Sequence, residues 1–384
     1  MASSKEGVCN WLHQALSLAE SVDLHCDPAT MNIILPEAKF RKRLWWCIYM
    51  RGQQLTLSLH FQNDFSNSRA SVPMPDIDDF KDTLIPHTVQ CVSGYGNLLR
   101  NADKQRALAA ICIRMCKASI HLERICGIQQ QNLHAGSQVS IDWCKERGSE
   151  SFELQEENIR SLASNASLDF QDMTSFGGDN VVNLHSSLLK MFCLTVLCML
   201  YTSQTGSGAL QNLLSSLNAT KYGTVTYKNL PKAAVAIISI AQRLHLKQIS
   251  HHLLPLSVSR IFVAGFVHTL GLLGPNDSIR TSSRTQIDQC SLILESLRGQ
   301  SPAADGALAQ LNTAVRRMNL FATRSSNHGS HPGGSESRSK NGTTAPQARQ
   351  SLGNMNVNRE VGENCENLVD VIGSTTQARD TSTS

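Results

Sequence analysis

Hydrophobic residues recur along most of this chain at the three- and four-residue spacing of amphipathic helices. The pattern predicts a first helix over residues 10–22, with Asn10 as its N-cap. The Asp27-Pro28 step marks a break after it, because proline cannot continue a helix interior. The apolar stripe of this helix would consist of Trp11, Leu12, Ala15, Leu16, Ala19 and Val22.

A second helix is predicted over residues 36–60, followed by an extended loop over 71–80. Pro36 suits a first helical turn, and Glu37 complements the positive end of the helix dipole. Gly52 would weaken the middle of this helix by roughly 1 kcal/mol relative to alanine. The loop, SVPMPDIDDF, contains two prolines and so cannot be helical throughout. The apolar face of the helix would contain Phe40, Leu44, Cys47, Ile48, Leu55 and Leu59.

Helical periodicity continues through the rest of the chain, apart from residues 128–180. That stretch is polar and interrupted by glycine, and it is predicted as a loop with Trp143 and Phe152 as local anchors. Gly127 is predicted to end the helix before that stretch. The predicted helices are 84–126, 181–202, 231–249, 253–274, 284–298 and 305–323.

The fold class that follows is all-α, because no alternating strand pattern of convincing length and no internal repeat appears. We expect one irregular multi-helix domain over residues 1–324. From residue 325 the composition changes to serine, glycine, asparagine and proline, with almost no side chains to bury. The tail 325–384 is therefore predicted to be disordered.

Composition narrows the classes of protein that this chain can be. Hydrophobic residues make up 41% of the 384 positions, enough for a sizeable core. The net charge of +4 gives no broad basic surface of the kind that nucleic-acid-binding domains use. No signal-peptide pattern is present, and the longest uncharged apolar run, 191–201, is about half as long as a bilayer crossing requires. We expect a soluble, intracellular protein without membrane contact.

The candidate chemistry of the chain is sparse. None of the twelve cysteines shows Cys-x2-Cys spacing. The Gly-x-Ser-x-Gly motif of hydrolases, a phosphate-binding loop and a dinucleotide-binding motif are also missing, and Gly94-Tyr95-Gly96 is too short to be a dinucleotide-binding motif. Cys112 and Cys116 lie one helical turn apart, but core packing is the favoured interpretation, because no second ligand pair follows. Core or structural roles are likewise predicted for His121, Cys193, Cys198, His251, His252 and His268, the last as a hydrogen-bonded interior histidine. We predict no catalytic residue, metal ligand or cofactor, and the position of any effector pocket stays undetermined.

The stretch FRKRLWWCIYM, residues 40–50, combines three consecutive cations with two of the four tryptophans. It could bind a charged partner, or it could be a packing helix in which cations lie over aromatic faces, each contributing about 0.5–2 kcal/mol. The packing interpretation is favoured, with one indole in the core and the other at its margin. Three cations supply too few phosphate contacts for firm DNA binding. They could also pair with Asp76, Asp78 and Asp79, which would fold the loop back on the helix.

FRKRLWWCIYMRGQQ followed by SVPMPDIDDF resembles the signature of the fungal transcription factor regulatory domain, the middle homology region of zinc-cluster proteins. WLHQALSLAESVDLHCDP and LLPLSVSRIFVAGFVHTL are similar to other segments of that family, and the IDDF at 77–80 is similar to its cutinase-transcription-factor branch. The resemblance covers residues 9–320. It is carried by Arg41, Arg43, Leu44, Trp45, Trp46, Pro73, Pro75, Asp78 and Asp79.

The resemblance implies a transcriptional regulator in the nucleus, with cytoplasmic shuttling allowed. It implies contacts with other transcription factors or co-regulators, dimer formation among them, and control of a metabolic or secondary-metabolite gene set. The six-cysteine zinc cluster of the family is absent, so the chain is expected to be an N-terminally shortened member that does not bind specific DNA sequences alone. Arg51-Gly52-Gln53 also stands where the family has Arg-Asp-Arg. Two alternatives are a decoy that hetero-dimerises with a full-length regulator, and a helical small-molecule-binding protein or enzyme.

Overall fold

The computed structural model describes most of the first 327 residues. Nine α-helices and two short 3-10 turns account for nearly all of the described chain, and no strand occurs in it, which confirms the predicted all-α class. The described ranges are 2–59, 70–83, 101–134, 151–164, 179–203, 221–246, 255–274, 276–299 and 301–327.

The helices follow one another in chain order as α1 (Ala2–Ser21), α2 (Leu35–Leu59), α3 (Ala102–His134), α4 (Phe152–Ser164), α5 (Asp179–Ser203), α6 (Lys221–Leu246), α7 (Pro255–Gly271), α8 (Asp277–Leu297) and α9 (Pro302–Asn327). The 3-10 turns are Pro28–Thr30 and Ile77–Thr83. Asp27 caps the first turn by accepting a hydrogen bond from the Ala29 amide, which confirms the predicted break after the first helix.

The predicted helix ends differ from the structure at several points. Asn10 lies inside α1 and does not cap it. Gly127 lies inside α3 and does not end it. A Cβ atom at this position would meet nothing within 4 Å, so the fold does not require a glycine there. Pro231 lies inside α6, because ten helical residues precede it. The predicted domain boundary at 324 falls within α9, and the tail from 328 onwards lies outside the described residues, as does 84–100.

Helix α4 was missed altogether in the polar stretch 128–180. Its buried face has only Gln155, Ile159 and Ala163, spaced four residues apart, and the rest of its sequence is mostly polar. Such a short apolar stripe is hard to distinguish from a loop without knowing what covers it. Phe152 begins this helix, while Trp143 lies outside the described residues.

The main core is built around α5, which packs against α3, α4, α6 and α7. Its side chains Leu189, Met191, Phe192 and Val196 have essentially no exposed surface. Of the described helices, only Val181–Ser203 is long and apolar enough to cross a membrane by length and composition. In the most apolar 18-residue part of this helix, 67% of the positions are buried, so its apolar side chains pack against the other helices.

Candidate functional site: the tryptophan helix and the aspartate loop

A second, smaller hydrophobic cluster lies around α2, and we refer to it as the tryptophan cluster. Both indole side chains are buried in it: Trp45 is 5% exposed and Trp46 is 2% exposed. The prediction that one indole would lie at the margin is wrong, because α2 is covered on more than one side. The buried members of the cluster come from α1, the turn after it, α2, the loop and α3: Ala19, Leu24, Trp45, Trp46, Tyr49, Val72 and Cys116.

The two indoles are held in different ways. Trp46 Nε1 donates a hydrogen bond of 2.9 Å to the Pro73 carbonyl, and its ring meets Tyr49 edge to face with 5.2 Å between centroids. Trp45 packs against the His25 ring at 6.4 Å, and its Nε1 has no hydrogen-bond partner. The Tyr49 hydroxyl donates to Glu123 Oε2 at 2.6 Å; burial, and then the Glu123 charge, raise the pKa of Tyr49.

The loop after α2 is organised by its own aspartates. Asp76 Oδ1 accepts hydrogen bonds from the amides of Asp78 (2.7 Å) and Asp79 (3.3 Å), while Asp79 Oδ2 accepts the Asp76 amide at 2.8 Å. This reciprocal pattern is a capping box, with aspartate in place of the usual glutamate, and it starts the turn Ile77–Thr83. Of the two prolines, Pro75 is buried. Pro73 is exposed, but its carbonyl accepts the hydrogen bond from Trp46.

The three cations of the motif have two different tasks. Lys42 Nζ lies 2.7 Å from Asp79 Oδ2 and 3.5 Å from Asp76 Oδ2. Arg43 donates to the Asp79 carbonyl and sits over the Phe80 ring, 5.9 Å from its centroid. Lys42 and Arg43 therefore fold the loop back on α2. Burial alone would raise the pKa of Asp76, but the Asp78 amide and the Lys42 charge outweigh it and lower that pKa.

The remaining signature residues lie at the edge of this arrangement. Arg41 donates to the Val22 carbonyl at the end of α1, and its other nitrogen lies 3.7 Å from Glu37. Asp78 pairs with Lys81 on the exposed side of the turn and does not reach α2. Leu44 is exposed, so it is outside the cluster. The structure thus brings together Arg43, both tryptophans, both prolines and Asp79, and leaves Arg41, Leu44 and Asp78 at the periphery.

The other candidate residues from the sequence are buried where they are described, except Cys112, which is partly exposed. Cys116 is fully buried, with Sγ 3.4 Å from Met50 Sδ; hydrogen bonding to Cys112 and burial raise the pKa of its thiol. Cys193 and Cys198 lie in the main core, where burial raises each thiol pKa to about 12. His268 is buried, but its Nε2 lacks a hydrogen bond, contrary to prediction. His251, His252 and the segment 94–96 lie outside the described residues.

Residues 1–164 match the family model described as fungal specific transcription factor domain. Over this range, the chain is similar to that domain. The tryptophan helix, the aspartate loop and helices α1 to α4 all lie within the matched range. The family resemblance read from the sequence is therefore confirmed.

Relatives of this chain include "Cutinase transcription factor 1 beta" of Fusarium vanettenii, 24% identical over 80% of this chain and 36% of the relative. "Transcription factor cpaR" of Aspergillus oryzae is 30% identical over 30% of this chain and 20% of the relative. A "Transcription factor" of Fusarium pseudograminearum (strain CS3096) is 24% identical over 81% of this chain and 36% of the relative. The chain thus spans about a third, or less, of each of these proteins. No solved structure matches it significantly.

One group of side chains in this domain was missed by the sequence analysis. Asp23, His25 and Cys26, just after α1, place one carboxylate oxygen, one imidazole nitrogen and one thiol sulfur within 4.8 Å of one another. The signal was present as the letters DLHC, three ligand-type residues in four positions. It was not recognised, because only a turn after the helix can direct such close neighbours to one point.

Proposed function

We propose that this chain is a transcriptional regulator of the fungal zinc-cluster type that acts in the nucleus through contacts with other transcription factors or co-regulators. Its role in a metabolic or secondary-metabolite gene set, and its lack of sequence-specific DNA binding on its own, are parts of the same proposal. The family match over residues 1–164 carries the first part. We do not assign the chain an enzymatic step.

The three cations of the FRKRLWW motif point into the fold, which argues against direct binding of specific DNA sequences by this chain. Lys42 and Arg43 bind the aspartate loop, and Arg41 binds the end of α1. Binding to nucleic acid needs cations that are free to neutralise phosphates and so release the counterions condensed on the nucleic acid. These three side chains already have internal acceptors, so the most basic stretch of the chain stabilises the fold.

Helix α1 has an exposed apolar stripe, which supports contacts with other proteins. Trp11 and Leu18 are seven residues apart, so they share one face of the helix, and the exposed Val22 follows directly after its last residue. Trp11 is 74% exposed and Leu18 is 66% exposed. An exposed tryptophan aligned with aliphatic residues is typical of a surface that binds another protein. As its partner we propose another helical domain of the same family, in this protein's own second copy or in a relative.

We also infer that the regulatory domain extends beyond residue 164 to about residue 324. The main core supports this extension, because Leu122 and Ile159 from the matched part are buried in the same cluster as Phe192 and Leu294 from the later helices. A domain that ended at residue 164 would leave those side chains in water. The relatives from both Fusarium species also align over about 80% of the chain.

The proposal is tested by deleting the gene and measuring transcripts genome-wide. Loss of a coherent gene set would identify an activating regulator, and gain would identify a repressor or a decoy that blocks a relative. Unchanged transcripts under all growth conditions would overturn the proposal. Purified chain should also fail to shift its target promoters specifically in a gel assay.

The contact surface is tested by returning variants to the deletion strain. The double variant Trp11→Ser, Leu18→Ser should fail to restore the transcripts while keeping wild-type circular dichroism. The matched control is Leu292→Ser on α8, which removes a similarly exposed leucine (64%) from a different surface and should restore them fully. Equal rescue by both would show that the α1 stripe is not the contact.

A further inference from the structure

The turn after α1 directs three ligand-type side chains to one point. Asp23 has a positive φ of 53°, which reverses the chain directly after the helix. The reversal places Asp23, His25 and Cys26 with their donor atoms mutually within 4.8 Å. His25 Nε2 lies 3.6 Å from Cys26 Sγ. Asp23 is exposed and the other two are partly buried, so ions in solution can reach the group.

The distance between the nitrogen and the sulfur fits a tetrahedral metal ion. Zinc binds sulfur at about 2.3 Å and imidazole nitrogen at about 2.0–2.1 Å, so a nitrogen and a sulfur ligand of one tetrahedron lie about 3.5 Å apart. The observed 3.6 Å is close to that value. A thiol hydrogen bond to the imidazole would explain this one distance, but it would not explain why the carboxylate converges on the same point. Carboxylate, imidazole and thiolate are all ligands that zinc accepts.

The backbone around the three residues is held in place before any ion binds. The Leu24 amide bonds to the Ala19 carbonyl at 2.8 Å, and the Leu24 side chain is buried in the tryptophan cluster. The His25 carbonyl accepts the Ser71 amide at 3.0 Å, and the Asp27 amide donates to Ser71 Oγ at 2.8 Å. A site whose backbone is already ordered loses less entropy on binding.

The local charge also favours a cation. The Asp23 carboxylate and a metal-bound Cys26 thiolate would provide two negative charges. Arg41 reaches this turn through its bond to the Val22 carbonyl, and Glu37 lies 3.7 Å from Arg41 and offsets its charge. The His25 Nδ1 has no hydrogen-bond partner, so the packing against Trp45 orients the His25 ring. The His25 Nε2 faces the Cys26 thiol.

We propose that Asp23, His25 and Cys26 bind a divalent transition-metal ion of the zinc type, with a water molecule as the fourth ligand. The bound ion would connect the end of α1 to the tryptophan cluster through His25 and to the aspartate loop through Ser71. The inference does not depend on the proposed regulatory function. It also departs from the sequence analysis, which predicted no metal ligand.

The test is titration of the full chain, freed of metal by a chelator, with Co²⁺ as a spectroscopic probe and then with Zn²⁺. One equivalent of Co²⁺ should produce the absorption of a tetrahedral site with a sulfur ligand, and Zn²⁺ should displace it. Cys26→Ser and Asp23→Asn should each weaken binding at least about 10-fold, since removing even a supporting residue of a metal site has that effect. Both changes are nearly isosteric, so circular dichroism should stay unchanged.

The matched control is Cys47→Ser, which removes an exposed thiol of α2 that is not part of the group. This variant should bind Co²⁺ as the wild type does. Zn²⁺ should raise the melting temperature of the wild type and of Cys47→Ser, but not that of Cys26→Ser. Absence of stoichiometric Co²⁺ binding by the wild type, or equal binding by Cys26→Ser, would overturn the proposal.

Discussion

The two hydrophobic clusters of this protein are built from different kinds of interaction. The main core around α5 is largely aliphatic and consists of residues from at least seven helices, so buried area stabilises it. Among the described residues, the tryptophan cluster has seven buried members, and part of its cover is a loop with little regular structure. Directional contacts compensate there: the indole bond to Pro73, the Lys42–Asp79 ion pair and the aspartate capping box.

This difference shows how a loop can be given a defined position on a helix. Apolar contact alone is non-directional and tolerates sliding, whereas hydrogen bonds and ion pairs impose one alignment. Helix α3 joins the two regions, because Cys116 belongs to the tryptophan cluster and Leu122 to the main core. A change in the position of the loop can therefore reach the rest of the helical body through one rigid element.

The largest expected effect comes from the main core. Phe192→Ala removes a fully buried ring over which the Arg260 guanidinium lies at 5.1 Å, and it should lower the free energy of unfolding by about 3–5 kcal/mol. Guanidinium denaturation followed by circular dichroism measures it. Phe192→Leu should cost clearly less. A loss below about 1 kcal/mol for the alanine variant would mean that α5 is not the centre of stability.

Acid should weaken the main core before it reaches the aspartate loop. Burial lowers the pKa of His268 from 6.5 to about 4. Because the unfolded chain takes up the proton at higher pH than the folded chain, the stabilisation is complete above pH 6.5 and falls as the pH drops. The loss should approach about 3 kcal/mol near pH 4. Asp76, whose pKa is lowered, keeps its charge through this range.

The measurement is the free energy of unfolding at pH 7 and pH 4.5 for the wild type and for His268→Leu, which cannot titrate at this position. The difference between the two pH values should be smaller in the variant, since the contributions of other groups cancel. An equal pH dependence in both proteins would show that His268 protonates without penalty.

In the tryptophan cluster the expected effects are smaller and depend on a single hydrogen bond. Trp46→Phe loses the bond from Nε1 to Pro73, together with part of a buried ring, and should cost about 1–3 kcal/mol. Trp45→Phe is the matched control, because its Nε1 has no partner and only ring area is lost. Amide hydrogens of the loop 70–80 should exchange faster only in Trp46→Phe. Equal effects would remove the distinction between the two indoles.

The smallest expected effect separates the two neighbouring aspartates. Asp79→Asn removes the main charge that pairs with the largely buried Lys42 and should cost about 1–2 kcal/mol, less than the loss of an isolated buried pair because Asp76 still lies 3.5 Å from Lys42. Asp78→Asn changes an exposed residue that pairs only with Lys81, and should cost less than about 0.3 kcal/mol. Thermal unfolding of both variants in parallel decides this. If Asp78→Asn proves the more damaging, the capping box has been assigned to the wrong residue.

Much of the fold could be predicted from the sequence, because helices with a long apolar stripe show their period directly. Helices α2 and α5 begin and end within a few residues of their predicted limits. Helix α4 was missed because its stripe has only three positions, and the end of α3 was placed too early because Gly127 was taken as its last turn. Both errors concern local signals whose meaning depends on what packs against them.

The amino-acid sequence by itself determined that the chain is helical, that it resembles the fungal transcription factor domain, and that Trp45 and Trp46 are central to one helix, since composition, periodicity and motif are local properties. Only the tertiary structure decided that both indoles are buried, that Lys42 and Arg43 serve the aspartate loop, and that Asp23, His25 and Cys26 meet. The physical reason is that burial and ligand geometry depend on which distant segments cover a residue, and pattern along the chain does not contain that information.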